Sequence, residues 1–292
     1  MKKPISVCAT GLGHPEGPYE LDDGRVIYAN TYASAIGVWD PKTGKAGVYA
    51  DVGGGPNACM LGSDSCVYST QTPTVGSWIA PVHRPPSIQK TSPTGKVEVL
   101  VTEADGVTFD GPNDLTFGPD GRLYFTDSGD WAPATKPHPG RIVVVEKNGR
   151  ARILEELDHV YPNGIVAEPD GSLVWVESYT LNVVRRKPDG SKQVLHKMPD
   201  GHIPDGLKID ANGNLWITAV AAGGVDVIDK TGKPLDFLET GGTILNCVFG
   251  AGGALYCCDM GPFDVTGSAM TGRLIRVEVG VEGMPLYRGA IG

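Results

Sequence analysis

Six pairs recur along the chain in which an apolar residue precedes a carboxylate or an amide. They are Pro15-Glu16, Pro56-Asn57, Pro112-Asn113, Pro162-Asn163, Pro204-Asp205 and Leu245-Asn246. The polar members are two carboxylates and four amides, with no histidine or cysteine among them. An oxygen-only set suits a hard divalent cation, calcium or magnesium, better than copper or a structural zinc. Two carboxylates brought to one place repel each other and lose hydration unless a cation neutralises them. Taken singly, Asn after Pro is an ordinary turn residue, and buried amides often bridge neighbouring strands. The recurrence of all six is what makes them a candidate site.

The elements that must position these side chains are legible as a repeat. Each polar residue lies 10–12 residues before an aromatic: Tyr28, Tyr68, Tyr124, Trp175, Trp216 and Tyr256, spaced 40, 56, 51, 41 and 40 apart. Each aromatic follows a turn, as in Asp23-Gly24, Asp120-Gly121, Asp170-Gly171 and Asn212-Gly213. A second turn comes later in five units: Lys42-Thr43-Gly44, Pro93-Thr94-Gly95, Lys147-Asn148-Gly149, Pro188-Asp189-Gly190 and Lys230-Thr231-Gly232. Short strands joined by such turns, repeating every ~40–50 residues, are the signature of propeller blades. The fold expected is all-β, a six-bladed β-propeller with four-stranded blades and one domain over residues 1–292. The polar pair then opens the innermost strand of each blade, and six side chains converge on one axis.

The sixth unit has no outer strand after Gly272–Val279, while Ile5–Thr10 precedes the first blade without a partner. The N-terminal strand is therefore expected to complete blade six and close the ring, removing two exposed sheet edges.

Composition agrees with this reading. The 41 glycines and 23 prolines among 292 residues supply many turns and leave little room for long helices. A net charge of −9, with no run of Lys and Arg, excludes a nucleic-acid or anionic-membrane surface. No stretch of 18 apolar residues offers a membrane span. The six cysteines form no CxxC pair and no zinc spacing with histidine, and no apolar h-region follows the basic N-terminus. A reduced, cytoplasmic protein is expected.

Two long loops should border the candidate site, because the connection from second to third strand lies on the face where the first strand begins. One runs from Thr70 to Pro86 and carries Trp78, His83 and Arg84; the other runs from Asp127 to Gly140 and carries Asp130, Trp131 and His138. Trp78 and Trp131 are expected to wall a substrate pocket with apolar surface. No Gly-x-Ser-x-Gly elbow, P-loop or dinucleotide fingerprint is present in a suitable context. The six histidines form no spaced ligand set, although His14 and His202 fall near channel entries.

Four segments carry a resemblance: His14-Pro15-Glu16-Gly17-Pro18, Gly111-Pro112-Asn113-Asp114, Tyr161-Pro162-Asn163-Gly164 and Ile203-Pro204-Asp205-Gly206-Leu207. In order and spacing they resemble the SMP-30/gluconolactonase/LRE family over nearly the whole chain. The resemblance implies a metal-dependent lactonase, with Ca2+ as the expected cation and Zn2+, Mg2+ or Mn2+ as alternatives. It implies Glu16, Asn163 and Asp205 as metal ligands, Asp205 also as general base, and Asn113 beside metal and substrate. Sugar-lactone members carry an Arg where this chain has Gly111, so a small-molecule lactone or ester other than a sugar lactone is expected. Arg84 is the side chain that might otherwise replace the missing guanidinium. Two rival readings use the same residues: a phosphotriesterase or other metal-dependent ester hydrolase or cyclase, and a non-catalytic ligand-binding propeller.

Overall fold

A computed structural model describes residues 2–129, 131, 139–262 and 269–292. Six four-stranded antiparallel sheets are arranged as the blades of a propeller. Blade one is typical: Pro15–Glu20 is the inner strand, followed outward by Val26–Asn30, Ala35–Asp40 and Lys45–Asp51. The inner strands of blades two to six are Gly55–Leu61, Pro112–Phe117, Pro162–Ala167, Pro204–Ile209 and Ile244–Gly250. Among the described residues the one helical element is a 3-10 turn, Thr31–Ala33, and no helix is long and apolar enough to cross a membrane.

The ring closes as the unpaired segment requires. Ile5–Leu12 pairs antiparallel with Gly272–Glu278, with Ile5 opposite Val277 and Leu12 opposite Gly272, and becomes the outer strand of blade six. The two ends of the ring are thus held by a full ladder, which leaves no open edge between first and last blades.

The repeated aromatics lie on the second strand of each blade, and all six are buried. They pack with branched aliphatics into apolar clusters between blade faces, the largest of which spans blades one, two and three. The Asp/Asn-Gly turns joining first to second strand all lie on one face of the disc. Across that face runs the last stretch of the chain. Met284 N donates to Ile209 O (2.9 Å), Ser63 N to Gly289 O (2.8 Å) and Gly292 N to Lys147 O (3.1 Å). Arg288 bonds the Tyr19 hydroxyl and Asp22, and Ile291 is fully buried beside Tyr68. This strap covers the channel on the face opposite the polar openings.

Candidate functional site

Each inner strand carries one extra residue relative to its partner, at or next to the polar opening. Pro112 pairs with Asp127 but Leu115 with Phe125; Pro162 pairs with Glu177 but Ile165 with Trp175; Pro204 pairs with Ala219 but Leu207 with Ile217. A bulge of this kind bends the strand and re-aims a side chain. Here it accompanies the turn of Asn113, Asn163 and Asp205 toward the channel. The glycines that follow are needed for close approach. A Cβ on Gly17 would lie 2.2 Å from Ala58 Cα, on Gly164 2.5 Å from Asp205 O, and on Gly206 2.4 Å from the Asn246 side chain.

Hydroxyls on the second strands hold the bulges. Thr126 Oγ1 accepts from Asp114 N (3.1 Å) and donates to Asn163 O of the next blade (2.8 Å). Thr218 Oγ1 accepts from Gly206 N and donates to Leu245 O (2.7 Å); Thr31 and Ser178 donate to Pro56 O and Pro204 O, each at 2.7 Å. With Thr70 Oγ1 donating to Asn113 O, blades one to five each fix the opening of the next. Sequence analysis missed this ladder, although a Ser or Thr two or three residues after the blade aromatic recurs in blades one to five.

Glu16, Asn57, Asn113, Asn163 and Asp205 line the floor of one cavity of about 490 Å³. Glu16 is buried and accepts from Gly17 N at 2.7 Å. Burial pushes its pKa up to about 8, with Asp114 nearby adding to the rise, while Gly17 N–H, the Asn246 side chain and Lys208 oppose it. Asp205 is exposed only in part, in the cavity that it lines. Desolvation raises its pKa well above the carboxylate range, and the charges of Glu16 and Asp114 add to this against a hydrogen bond from Asn163. Asn163 Nδ2 donates to Ser178 Oγ at 3.2 Å, while its buried Oδ1 has no hydrogen-bond partner. Two crowded carboxylates and an unsatisfied amide oxygen form a donor set for a hard cation. Among the described residues no three His, Cys, Asp or Glu side chains gather as a metal cluster, and a cation held by these two carboxylates would need the amide oxygen as a further donor.

The mouth of the cavity is largely apolar. Trp131 lines it and packs edge-on against Tyr161, with ring centroids 4.7 Å apart. His14, Tyr32, Val220, Leu245 and Met260 line other parts. His14 is half-buried at the cavity wall, and desolvation there lowers its pKa to about 4. Trp78 and Arg84, expected at the substrate pocket, are not among the residues that line this cavity. Trp78 belongs to a small hairpin, Thr74–Val75 with Trp78–Ile79, and packs behind Tyr32 at 5.5 Å. Arg84 lies over Gly53, where a Cβ would fall 2.8 Å from its Nε. Gly111 itself leaves no room for a side chain, since a Cβ would meet Gly129 O at 2.6 Å. Asp130 and His138 lie outside the described residues.

Fold and site together define a six-bladed propeller with a carboxylate-and-amide site at one mouth of its channel. The chain belongs to the SMP-30/gluconolactonase/LRE-like family, whose model matches residues 14–277. It is similar to a gluconolactonase from Zymomonas mobilis, at 25% identity over 289 residues covering 86% of this chain and 77% of the relative. A lactonohydrolase from Aspergillus oryzae is 32% identical over 140 residues, covering 48% of this chain and 25% of that protein. In fold it is similar to regucalcin from Agrobacterium tumefaciens, described as a calcium-binding protein, with a TM-score of 0.79, 20% identity and coverage of 99% and 98% of the two chains.

Proposed function

We propose that the protein hydrolyses a lactone in a site formed by Glu16, Asn113, Asn163 and Asp205, and that the whole ring acts as one domain. The observation that carries this reading is the pair Glu16 and Asp205, which line one cavity, raise each other's cost of ionisation and stand beside the unpartnered Oδ1 of Asn163. Kinship with a gluconolactonase and a lactonohydrolase supports the reaction class. Glu16, Asn163 and Asp205 would hold one divalent cation, for which all-oxygen donors and the calcium-binding neighbour favour Ca2+. When bound, it supplies Lewis-acid polarisation of the lactone carbonyl.

The chain's own residues do the rest. Asp205 accepts the proton of the water that attacks the carbonyl carbon. Asn113 donates its amide N–H to the carbonyl oxygen as charge builds there. The ring C–O bond then breaks, the departing oxygen takes up the proton, and a hydroxy acid results. The apolar mouth excludes water and favours a lactone with an aromatic or alkyl substituent over a polyhydroxylated one. All six cysteines are free, which suits a reducing compartment such as the cytoplasm.

Chelation followed by dialysis tests the reading. Lactone hydrolysis should be lost and Ca2+ should restore it; full activity in the metal-free protein would sink the mechanism.

A further inference from the structure

Below the site, the channel holds a charge that the proposed reaction does not use. Lys208 lies three residues beyond Asp205 on the same inner strand, with its side chain 10% exposed. Its Nζ donates to Leu207 O at 3.0 Å and stands 3.9 Å from Asp114 Oδ2. Asp114 follows Asn113 and is itself tied down, accepting from Leu115 N at 2.8 Å and Ile165 N at 3.3 Å. Both border a void of about 20 Å³ that Leu286 of the C-terminal strap also lines. Among the described residues lining this void or the cavity above it, Lys208 is the one Lys or Arg.

We infer that Lys208 is a built-in cation that sets the charge of the ion the site accepts. The inference rests on the proposed metal site. With that site occupied, Glu16, Asp205 and the buried Asp114 bring three negative charges to inner strands around one axis, and the buried Lys208 returns one positive charge. The remainder is matched by one divalent ion. Uncompensated charge among buried groups is costly, and its effect on an incoming ion scales with that ion's charge. Lys208 thus discriminates between divalent and trivalent ions without touching either. Asp114 is its counterweight: loss of either one shifts the preference in opposite directions, and loss of both cancels.

The test is calorimetric titration with Ca2+ and Tb3+, ions of similar size and different charge, on four proteins at one pH. Lys208→Met should raise the Tb3+ to Ca2+ affinity ratio by about tenfold or more. Asp114→Asn should lower it by a similar factor. The double variant should return to within about threefold of wild type, since its net channel charge is the same. A general loosening of the fold would move both single variants the same way. If Lys208→Met does not fold, the ordering of Asp114→Asn below the double variant carries the test. One ratio shared by all the proteins overturns the role of Lys208 while leaving the metal site standing. Wild-type protein that binds neither ion overturns the metal site, and this inference with it.

Discussion

Asn57 donates a hydrogen bond from Nδ2 to Oδ1 of Asn113, 2.7 Å away on the neighbouring blade. Both side chains line the cavity. With its oxygen already engaged, Asn113 has its N–H2 group left to offer a bound carbonyl, the polarity that an oxyanion donor needs.

Asn57 should therefore act through Asn113. Asn57→Leu is expected to lower kcat/KM for a lactone by about tenfold. Asn113→Leu should cost at least as much, and the double variant no more than Asn113→Leu alone. Steady-state kinetics on the three variants check this. Fully additive losses would show that Asn57 does not work through Asn113.

Asp205→Asn keeps an oxygen in place but removes the base and one negative charge. Turnover should fall by ~10²-fold or more with the propeller intact. Metal occupancy has to be measured on the same preparation, because Asp205 is also a proposed ligand. Normal turnover in a metal-loaded Asp205→Asn protein would rule out the base role.

Substrate preference follows from Gly111 and Trp131. The close approach of Gly111 to Gly129 O shuts out the guanidinium that would hold sugar hydroxyls, and Arg84 is not among the residues lining the cavity. A polyol substrate loses hydrogen bonds to a charged group, each worth ~1.5–3 kcal/mol. An alkyl or aromatic ring gains ~25 cal/mol per Å² buried against the mouth. Comparing kcat/KM for dihydrocoumarin, an alkyl γ-lactone and gluconolactone should place the sugar lactone last. A clear preference for gluconolactone would refute the apolar reading.

The strap over the far face has an acid-sensitive anchor at Asp64. Burial would raise the pKa of this carboxyl, but Lys90 Nζ at 3.0 Å and the Tyr68 hydroxyl at 2.9 Å outweigh it and hold the group below its usual value. Lys90 also donates to Ile291 O (2.8 Å), joining the strap to blade two. A carboxyl with a depressed folded pKa contributes stability above its unfolded pKa and loses it as the pH falls through the folded value. Asp64→Asn should lower stability by about 1 kcal/mol at neutral pH, roughly 2–4 °C in Tm. The difference between variant and wild type should shrink as the pH falls below the ordinary carboxylate range and through the depressed folded pKa of Asp64. A gap that persists unchanged into acid would mean that Asp64 contributes through packing and not through charge.

The six aromatics, the two families of turns and the six polar openings are written in the chain, and they specify blades, blade number and ring closure. They can be read there because each blade is assembled from neighbours in sequence, so strand period and turn chemistry repeat locally. Glu16, Asn113, Asn163 and Asp205 were legible for the same reason, as equivalent positions of one repeat. What those residues face was decided by the ring. Asn57 meets Asn113, and Asp114 meets Lys208, only because closure brings different inner strands to one axis. Two tryptophans on two long loops end differently, Trp131 in the cavity against Tyr161 and Trp78 in a small hairpin packed on Tyr32, because their ring partners differ. Arg84 reads in sequence as a stand-in for the guanidinium absent at Gly111, yet it lies over Gly53 and is not among the residues lining the cavity. Local pattern carries no information about contacts between residues tens to hundreds of positions apart, and those contacts set the charge and shape of the cavity among the described residues.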